Sequence, residues 1–225
     1  MNLWISAKVS LPATLLVALV GFPLAWALSR PGWKGRRVVD VVVNLPLVLP
    51  PTVVGYYLLA LISRDGPVGR LTTALWGSTL IFTVAGAVMA SVVVCLPLFV
   101  QAARSALETV PVEVHEAAQI DGANRWQALR YVHLPVAWPG IWTGIILALA
   151  RSLGEFGATL MVAGNIPGKT QTMPLAIYSA VQSGRDAEAH LLALILTSVG
   201  AAAMWVGLRW RQWPRGGIGP FPPGN

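Results

Sequence analysis

Five long apolar segments dominate this sequence, and they constrain its fold more than any other feature. A helix that crosses a bilayer needs about 20 largely apolar residues, because each residue advances it by about 1.5 Å. Lipid offers no partners to open sheet edges, and the alternating pattern of a barrel is absent. The sequence therefore predicts an all-α membrane protein with five transmembrane helices. These lie near residues 10–28, 38–62, 74–102, 138–163 and 190–208.

Basic residues between the segments predict how the chain is oriented. Only 11% of the residues are charged, but the formal net charge is +7. The stretches 29–37, 103–137 and 209–225 carry ten Lys and Arg residues, whereas the stretches on the opposite side carry five. Cytoplasmic loops are enriched in Lys and Arg. We therefore expect the N-terminus outside, the C-terminus in the cytoplasm, and no nucleic-acid partner.

Prolines interrupt the second segment. Pro46, Pro50 and Pro51 fall within six residues of apolar sequence. Each proline removes a helical hydrogen bond and clashes with the preceding turn, so the helix should kink or break. Freed carbonyls at membrane depth need neighbouring helices or a water-filled cavity, and broken helices are typical of transporters. A purely structural kink is the alternative.

The loop 103–137 is too long and too ordered for a plain connector. Thr109 is suited to cap a helix, Gly122 allows a left-handed stop, and a second short helix is expected over 124–133, ended by Pro135. The stretch then forms a helix, a glycine turn and a helix on the cytoplasmic face. Two interpretations follow equally from the physics: a docking surface for a partner protein, or an amphipathic linker in the membrane interface.

A motif in this stretch favours docking. Glu116-Ala-Ala-Gln-Ile-Asp-Gly122, followed by Leu134-Pro135, resembles the EAA motif of ATP-binding cassette (ABC) importer permeases. In that family the loop forms a coupling helix that sits in a groove of the ATPase subunit. The resemblance therefore implies that ATPase coupling rests on Glu116, Ala117, Ala118, Asp121 and Gly122.

Two further stretches, 45–56 and 150–178, look like the molybdate permeases of the ModB type, whose close relatives carry sulfate, thiosulfate or tungstate. This resemblance covers about residues 10–205. It implies a type I (MetI-like) transmembrane domain over 10–208, with a coupling segment at about 109–135 and a short basic cytoplasmic tail over 209–225. It implies a permease and not an enzyme, located as a multi-pass protein in the bacterial inner membrane.

The same resemblance implies partners. We expect a homodimer, a dimer of a ModC-like ATP-binding subunit, and a ModA-like periplasmic or extracellular oxyanion-binding protein. The chain itself should bind no cofactor, since ATP is used by the partner subunit. The expected cargo is molybdate, with sulfate or tungstate as alternatives.

A charged pair lies deep in the fourth segment. Arg151 and Glu155 are four residues apart, on one face of the predicted helix. A lone charge there costs several kcal/mol, which an oppositely charged neighbour partly offsets. The pair is either an internal brace or part of the translocation path or gate. In the second case Arg151 attracts the oxyanion and the hydroxyls of Ser152 and Thr159 add donors.

Other readings of the sequence find less support. Residues 163–170 nearly match a phosphate-binding loop, but the first glycine is missing and the stretch follows a membrane helix instead of a strand. We expect a Gly/Pro turn there and a short helix near 173–182. The three histidines form no cluster with metal-ligand spacing, and the single Cys95 is expected to be a small buried hydrophobe. A stand-alone channel and an intramembrane enzyme remain as remote alternatives.

Overall fold

The computed structural model describes residues 2–30, 34–111, 120, 122 and 124–210. Within these residues the regular structure is helical. A five-residue π-helical turn, Leu129–His133, joins α6 to α7. The helices are α1 (Asn2–Ser29), α2 (Arg36–Val48), α3 (Pro51–Ile62), α4 (Pro67–Trp76), α5 (Val84–Glu108), α6 (Arg125–Ala128), α7 (Leu134–Leu153), α8 (Gly157–Ala163), α9 (Met173–Gln182) and α10 (Asp186–Trp210).

Four helical stretches are long and apolar enough to cross a membrane. They are Asn2–Ser29, Val84–Glu108, Trp126–Leu153 and Asp186–Arg209. The pair α2 and α3 makes a fifth if it counts as one span, although its two helices are bent by 118°. The all-helical membrane fold is thus confirmed with four or five spans, and the orientation of the termini stays a prediction.

The expected break in the second segment is confirmed, and it lies at Leu49 and Pro50. Both residues are extended, with ψ of 141° and 137°. A residue that precedes proline is disfavoured in the α-helical region, and two consecutive prolines apply this restriction twice. Pro51 then begins α3, where its missing N–H costs nothing. Pro46 stays inside α2, so the Pro-Pro pair is what breaks the helix.

The third segment begins later than predicted. The expected start near residue 74 is wrong, because α4 ends at Trp76 and Gly77 adopts a left-handed conformation with φ of 71°. The hydroxyl of Thr83 accepts a hydrogen bond from the Gly86 N–H at 3.1 Å and so caps α5. A glycine stop and a threonine cap therefore separate a short helix from the span that follows.

Pro135 does not end a helix, contrary to the prediction. The chain runs from α6 through the π-helical turn directly into α7, and Pro135 lies in the first turn of α7. The Leu134 N–H donates to the Leu129 carbonyl, five residues back. This wider turn rearranges the hydrogen bonds just ahead of the proline, so the helix continues.

Helix α5 is at the centre of the bundle and contacts two apolar clusters. The larger cluster joins α5 to α1 and α7 around the fully buried Phe99. The smaller one joins α5 to α3 and α8, and it contains Val54, Leu58, Ile62, Ala90, Val94, Ala158 and Val162. On α2 only Val43 is buried. Apolar packing therefore holds α3 in the bundle more extensively than α2.

Candidate functional site

Two broken helices meet on one side of the bundle. The first residue of α8 is Gly157, where a methyl group would lie 3.1 Å from the Thr52 nitrogen and 3.2 Å from the Pro51 Cβ. A methyl group at Gly55 would lie 2.8 Å from the Cα of Ala158. Only glycine permits backbones to approach this closely. The start of α3 is thus in direct contact with the start of α8.

Glu155 lies inside the second of these breaks. Gly154 and Phe156 have left the helical conformation, with φ/ψ of −91°/5° and −129°/−60°. The prediction that Arg151 and Glu155 share one face of a continuous helix is therefore wrong. Arg151 is in the last turn of α7, and Glu155 is in the unwound stretch that follows it.

The two charged side chains nevertheless form an ion pair. Arg151 Nη1 is 2.7 Å from Glu155 Oε2, although the contact is not aligned as a hydrogen bond. Glu155 Oε1 accepts a hydrogen bond from the Ala158 N–H at 2.9 Å, at the positive end of α8. The Glu155 side chain is 1% exposed and that of Arg151 is 32% exposed. The pair therefore links the buried break to accessible surface.

Buried hydroxyl groups lie on the helices before and after Glu155. Ser152 and Thr159 are buried, and neither hydroxyl makes a hydrogen bond within the part of the chain that the structure describes. The same is true of Ser91 on α5, which the sequence did not single out. Of the four predicted path residues, the structure brings Arg151 and Glu155 together and places Ser152 and Thr159 on the adjoining helices. Their role in a path stays a prediction.

Neighbours of the site come from distant parts of the sequence. The Phe156 ring packs against Tyr178 of α9, with 5.1 Å between ring centroids. Cys95 is buried on α5, as predicted. No local pattern in the sequence indicates these neighbours, because the fold alone brings them together.

Most of the predicted coupling residues lie outside the described residues, namely Glu116, Ala117, Ala118 and Asp121. Gly122 is described, and its φ of 79° confirms the predicted left-handed conformation. A methyl group at Gly122 would meet nothing within 4 Å. The glycine is therefore needed for the backbone conformation and not for close packing.

The helix after this turn starts with a reciprocal cap. The Asn124 side-chain oxygen accepts hydrogen bonds from the N–H groups of Trp126 at 3.0 Å and Gln127 at 2.9 Å. The Gln127 side chain accepts one in return from the Asn124 N–H at 2.7 Å. This arrangement satisfies amides that would otherwise be unpaired at a helix start. The start predicted at residue 124 is confirmed.

Two apolar side chains project from the coupling segment. Ile120 is 86% exposed and Trp126 is 77% exposed. Further along, Leu129 and Val132 are buried against the bundle, and His133 meets the Trp26 ring of α1 edge-on at 5.2 Å. The segment is thus anchored to the spans at one end and presents apolar surface at the other. The motif match did not draw attention to Ile120 or Trp126.

Residues 164–172 form a turn between two helices. The Ile166 carbonyl accepts hydrogen bonds from the N–H groups of Lys169, Thr170 and Gln171 at 3.0–3.1 Å. The short helix expected near 173–182 is confirmed as α9. A phosphate-binding loop requires a preceding strand, and here α8 precedes the turn. The described residues also hold no group of three His, Cys, Asp or Glu side chains placed to bind a metal.

Comparisons with known proteins agree with this geometry. The model of the family called binding-protein-dependent transport system inner membrane component matches residues 18–209. The chain is 45% identical over 192 residues to the molybdenum transport system permease protein ModB of Escherichia coli strain K12, covering 85% of this chain and 84% of that protein. It is 32% identical over 178 residues to a probable sulfate transport system permease protein, cysT of Chlorella vulgaris, covering 79% of this chain and 66% of that protein.

The fold is also found in solved structures. An inward-facing conformation of the MetNI methionine ABC transporter has a TM-score of 0.75 with this chain at 20% sequence identity, covering 93% of each chain. At that identity the likeness concerns the fold. It supports the expectation of a MetI-like transmembrane domain.

Proposed function

This chain belongs to the family of binding-protein-dependent transport system inner membrane components, and we propose that it is the permease subunit of an ATP-driven molybdate importer. It is a multi-pass inner-membrane transporter subunit and not an enzyme. The similarity to a molybdenum permease at 45% identity supports molybdate as cargo, whereas the sulfate permease is 32% identical. Sulfate and tungstate are the alternatives within the same class of tetrahedral oxyanions.

One observation carries the proposal for the path: two broken helices meet beside the Arg151–Glu155 ion pair. Unwound backbone at membrane depth is tolerated where protein buries it or where it lines a cavity. We assign Arg151 the role of attracting the oxyanion, with the Ser152 and Thr159 hydroxyls as further donors. Glu155 partly neutralises Arg151, so the anion is held weakly enough to be released. An internal brace is the alternative role of the pair.

We propose that Glu116, Ala117, Ala118, Asp121 and Gly122 form the coupling surface for the ATPase. The exposed Ile120 and Trp126 support this role, because apolar side chains at the cytoplasmic face suit burial by a partner. Closure of the ATPase dimer would move the segment and, through the continuous π-helical turn, the α7 span. The break beside Glu155 at the far end of α7 then receives that motion.

The proposed assembly has two copies of this chain, two ModC-like ATP-binding subunits and one ModA-like binding protein. Each copy provides one coupling segment, which matches one ATP-binding subunit. The path lies between the copies, so the breaks of both chains face it. No cofactor is assigned to the chain itself, and ATP is bound and hydrolysed by the partner subunit.

Uptake into proteoliposomes tests this function. The complete assembly, with an oxyanion-loaded binding protein outside and ATP inside, should accumulate molybdate against its gradient. Omitting either the ATP-binding subunit or ATP should abolish the uptake. Molybdate entry down its gradient through this chain alone would contradict the proposal and favour a channel.

A further inference from the structure

A polar network ties α2 to α5 at the ends predicted to face the cytoplasm. Arg104 on α5 contacts Asp40 on α2, with 2.8 Å between Nη1 and Oδ2. Arg104 also contacts Glu108, with 2.9 Å between Nε and Oε1. Arg36 on α2 reaches the same Glu108 oxygen at 3.1 Å. Arg104 is thus the one residue of this network that contacts both carboxylates.

Amide side chains extend the network along the same groove. The Asn44 amide donates to Asp40 Oδ1 at 2.8 Å, and the Gln101 amide donates to Asn44 Oδ1 at 2.8 Å. The groove has a volume of about 740 Å³. Both of its carboxylates already accept from cations or amides. The acids of the groove therefore serve to link the two helices.

Helix α2 depends on this network more than any other part of the second segment. Its apolar contribution to the core is slight, since Val43 is its one buried residue, whereas α3 buries Val54, Leu58 and Ile62. The extended Leu49 and Pro50 separate the two helices mechanically. Polar contacts hold α2 to α5, and apolar packing holds α3 to α5 and α8.

The network also lies next to the coupling segment. Glu108 is the last residue of α5, and the segment that begins at about residue 109 follows it directly. Arg104 is only 20% exposed and Asp40 32%, so water screens their attraction incompletely. This ion pair therefore joins α2 to the end of α5 that precedes the coupling segment.

We propose that Arg104 is a positioning residue that transmits motion of the coupling segment to the inner half of the broken second span. The inference rests on the proposed function, and it adds a second route to the one through α7. Without Arg104 the remaining contacts, Arg36–Glu108 and Gln101–Asn44, hold α2 to α5 less firmly. Motion of α5 then reaches α2 less efficiently, and a larger share of ATP hydrolysis occurs without opening the path. The assembly then stays intact but loses efficiency.

Two variants interrupt the link differently. Arg104→Gln removes both ion pairs of Arg104, whereas Asp40→Asn removes only Arg104–Asp40 and leaves Arg104–Glu108 in place. Both variants keep the Arg36–Glu108 pair. In the complete reconstituted assembly both should lower the molybdate imported per ATP hydrolysed by roughly 3- to 10-fold, while ATP hydrolysis continues. Arg104→Lys should restore part of the molybdate imported per ATP. A lysine ammonium group can pair with one of the two carboxylates, but it lacks the forked guanidinium that contacts both.

Arg185→Gln is the matched control. It removes an ion pair of the same kind, with 2.6 Å between Arg185 Nη1 and Glu188 Oε2, at an exposed site far along the chain from the coupling segment. This variant should import as much molybdate per ATP hydrolysed as the wild type does. Equal ratios for Asp40→Asn, Arg104→Gln and Arg185→Gln would overturn the inference.

Hydrogen exchange of the purified chain provides a readout that does not require transport. Arg104→Gln should accelerate exchange in Arg36–Val48 and leave Pro51–Ile62 unchanged. Unchanged exchange in α2 would refute the link even if the wild type transports. A wild type that imports no oxyanion with both partners present would refute the proposed function instead, and the exchange data would then decide the link by themselves.

Discussion

The two charged clusters of this protein use the same chemistry in opposite settings. Glu155 is almost fully buried beside the α7–α8 break, whereas Asp40 and Glu108 of the α2–α5 network keep about a third or more of their side chains exposed. Removing one partner of a buried pair leaves a charge without compensation, and removing one partner of an exposed pair leaves a solvated charge. The first cluster should therefore depend on both of its partners for the stability of the fold, whereas the second should tolerate the loss of one partner with little change in stability.

Removing Arg151 should have the largest effect on stability and tests the difference between the two clusters most strongly. Arg151→Ala leaves the Glu155 carboxylate buried beside one amide, which should destabilise the fold by about 3–5 kcal/mol. Thermal unfolding of the detergent-purified chain measures this loss. Asp40→Asn should lower stability by less than about 1 kcal/mol. Equal losses for the two variants would show that burial does not separate the clusters.

A second variant tests the packing that buries the first cluster. Gly55→Leu places a side chain against the backbone of Ala158 and the Cβ of Met161, each 2.8 Å from the added Cβ. Overpacking of this kind costs about 1–3 kcal/mol. Gly200→Leu is the control, since a methyl group at Gly200 meets nothing within 4 Å. If both variants melt at the same temperature, the two breaks are not in close contact.

The coupling segment, which follows the α2–α5 network along the chain, can be tested through Gly122. Gly122→Val forces a branched side chain into a left-handed turn at a cost of roughly 1–2 kcal/mol, so the turn should rearrange. The bundle should still fold, but co-purification of the ATP-binding subunit and transport should both fall. Gly184→Val imposes similar strain, at φ of 67°, outside the coupling segment. Loss of the ATPase from both variants alike would remove the coupling role from Gly122.

The smallest effect is expected at Arg185. Its ion pair with Glu188 is about half exposed on both sides, with 54% and 47% of the side chains accessible. Arg185→Gln should change the unfolding free energy by less than about 0.5 kcal/mol. A larger loss in the same thermal unfolding assay would mean that exposure does not predict how much an ion pair stabilises this protein.

Local chemistry in the sequence was sufficient to predict some features. The broken second segment follows from what proline does to its neighbours, and Gly122 follows from the conformational freedom of glycine. The short helix α9 was also predicted at its observed bounds. Each of these features depends on residues within a few positions of one another, so no knowledge of the fold was needed.

Other features depend on contacts that the sequence does not display. Nothing in Leu153–Phe156 forbids a helix, and Gly154 alone costs only about 1 kcal/mol there. The break forms where Glu155 accepts from the start of α8 and pairs with Arg151. The α2–α5 network escaped prediction because Arg104 and Asp40 are 64 positions apart in the chain. The π-helical turn before Pro135 was also not predicted, because proline usually stops a helix.

The central claim is that the oxyanion passes the point where the two breaks meet, and the double variant Arg151→Ala with Glu155→Gln tests it most directly. This variant removes both charges, so it should regain most of the stability that Arg151→Ala loses. ATP-driven molybdate uptake by the complete reconstituted assembly is the measurement. We predict a folded, ATPase-binding permease that imports little or no molybdate. Wild-type uptake by this variant would show that the pair is only a brace and that the path lies elsewhere.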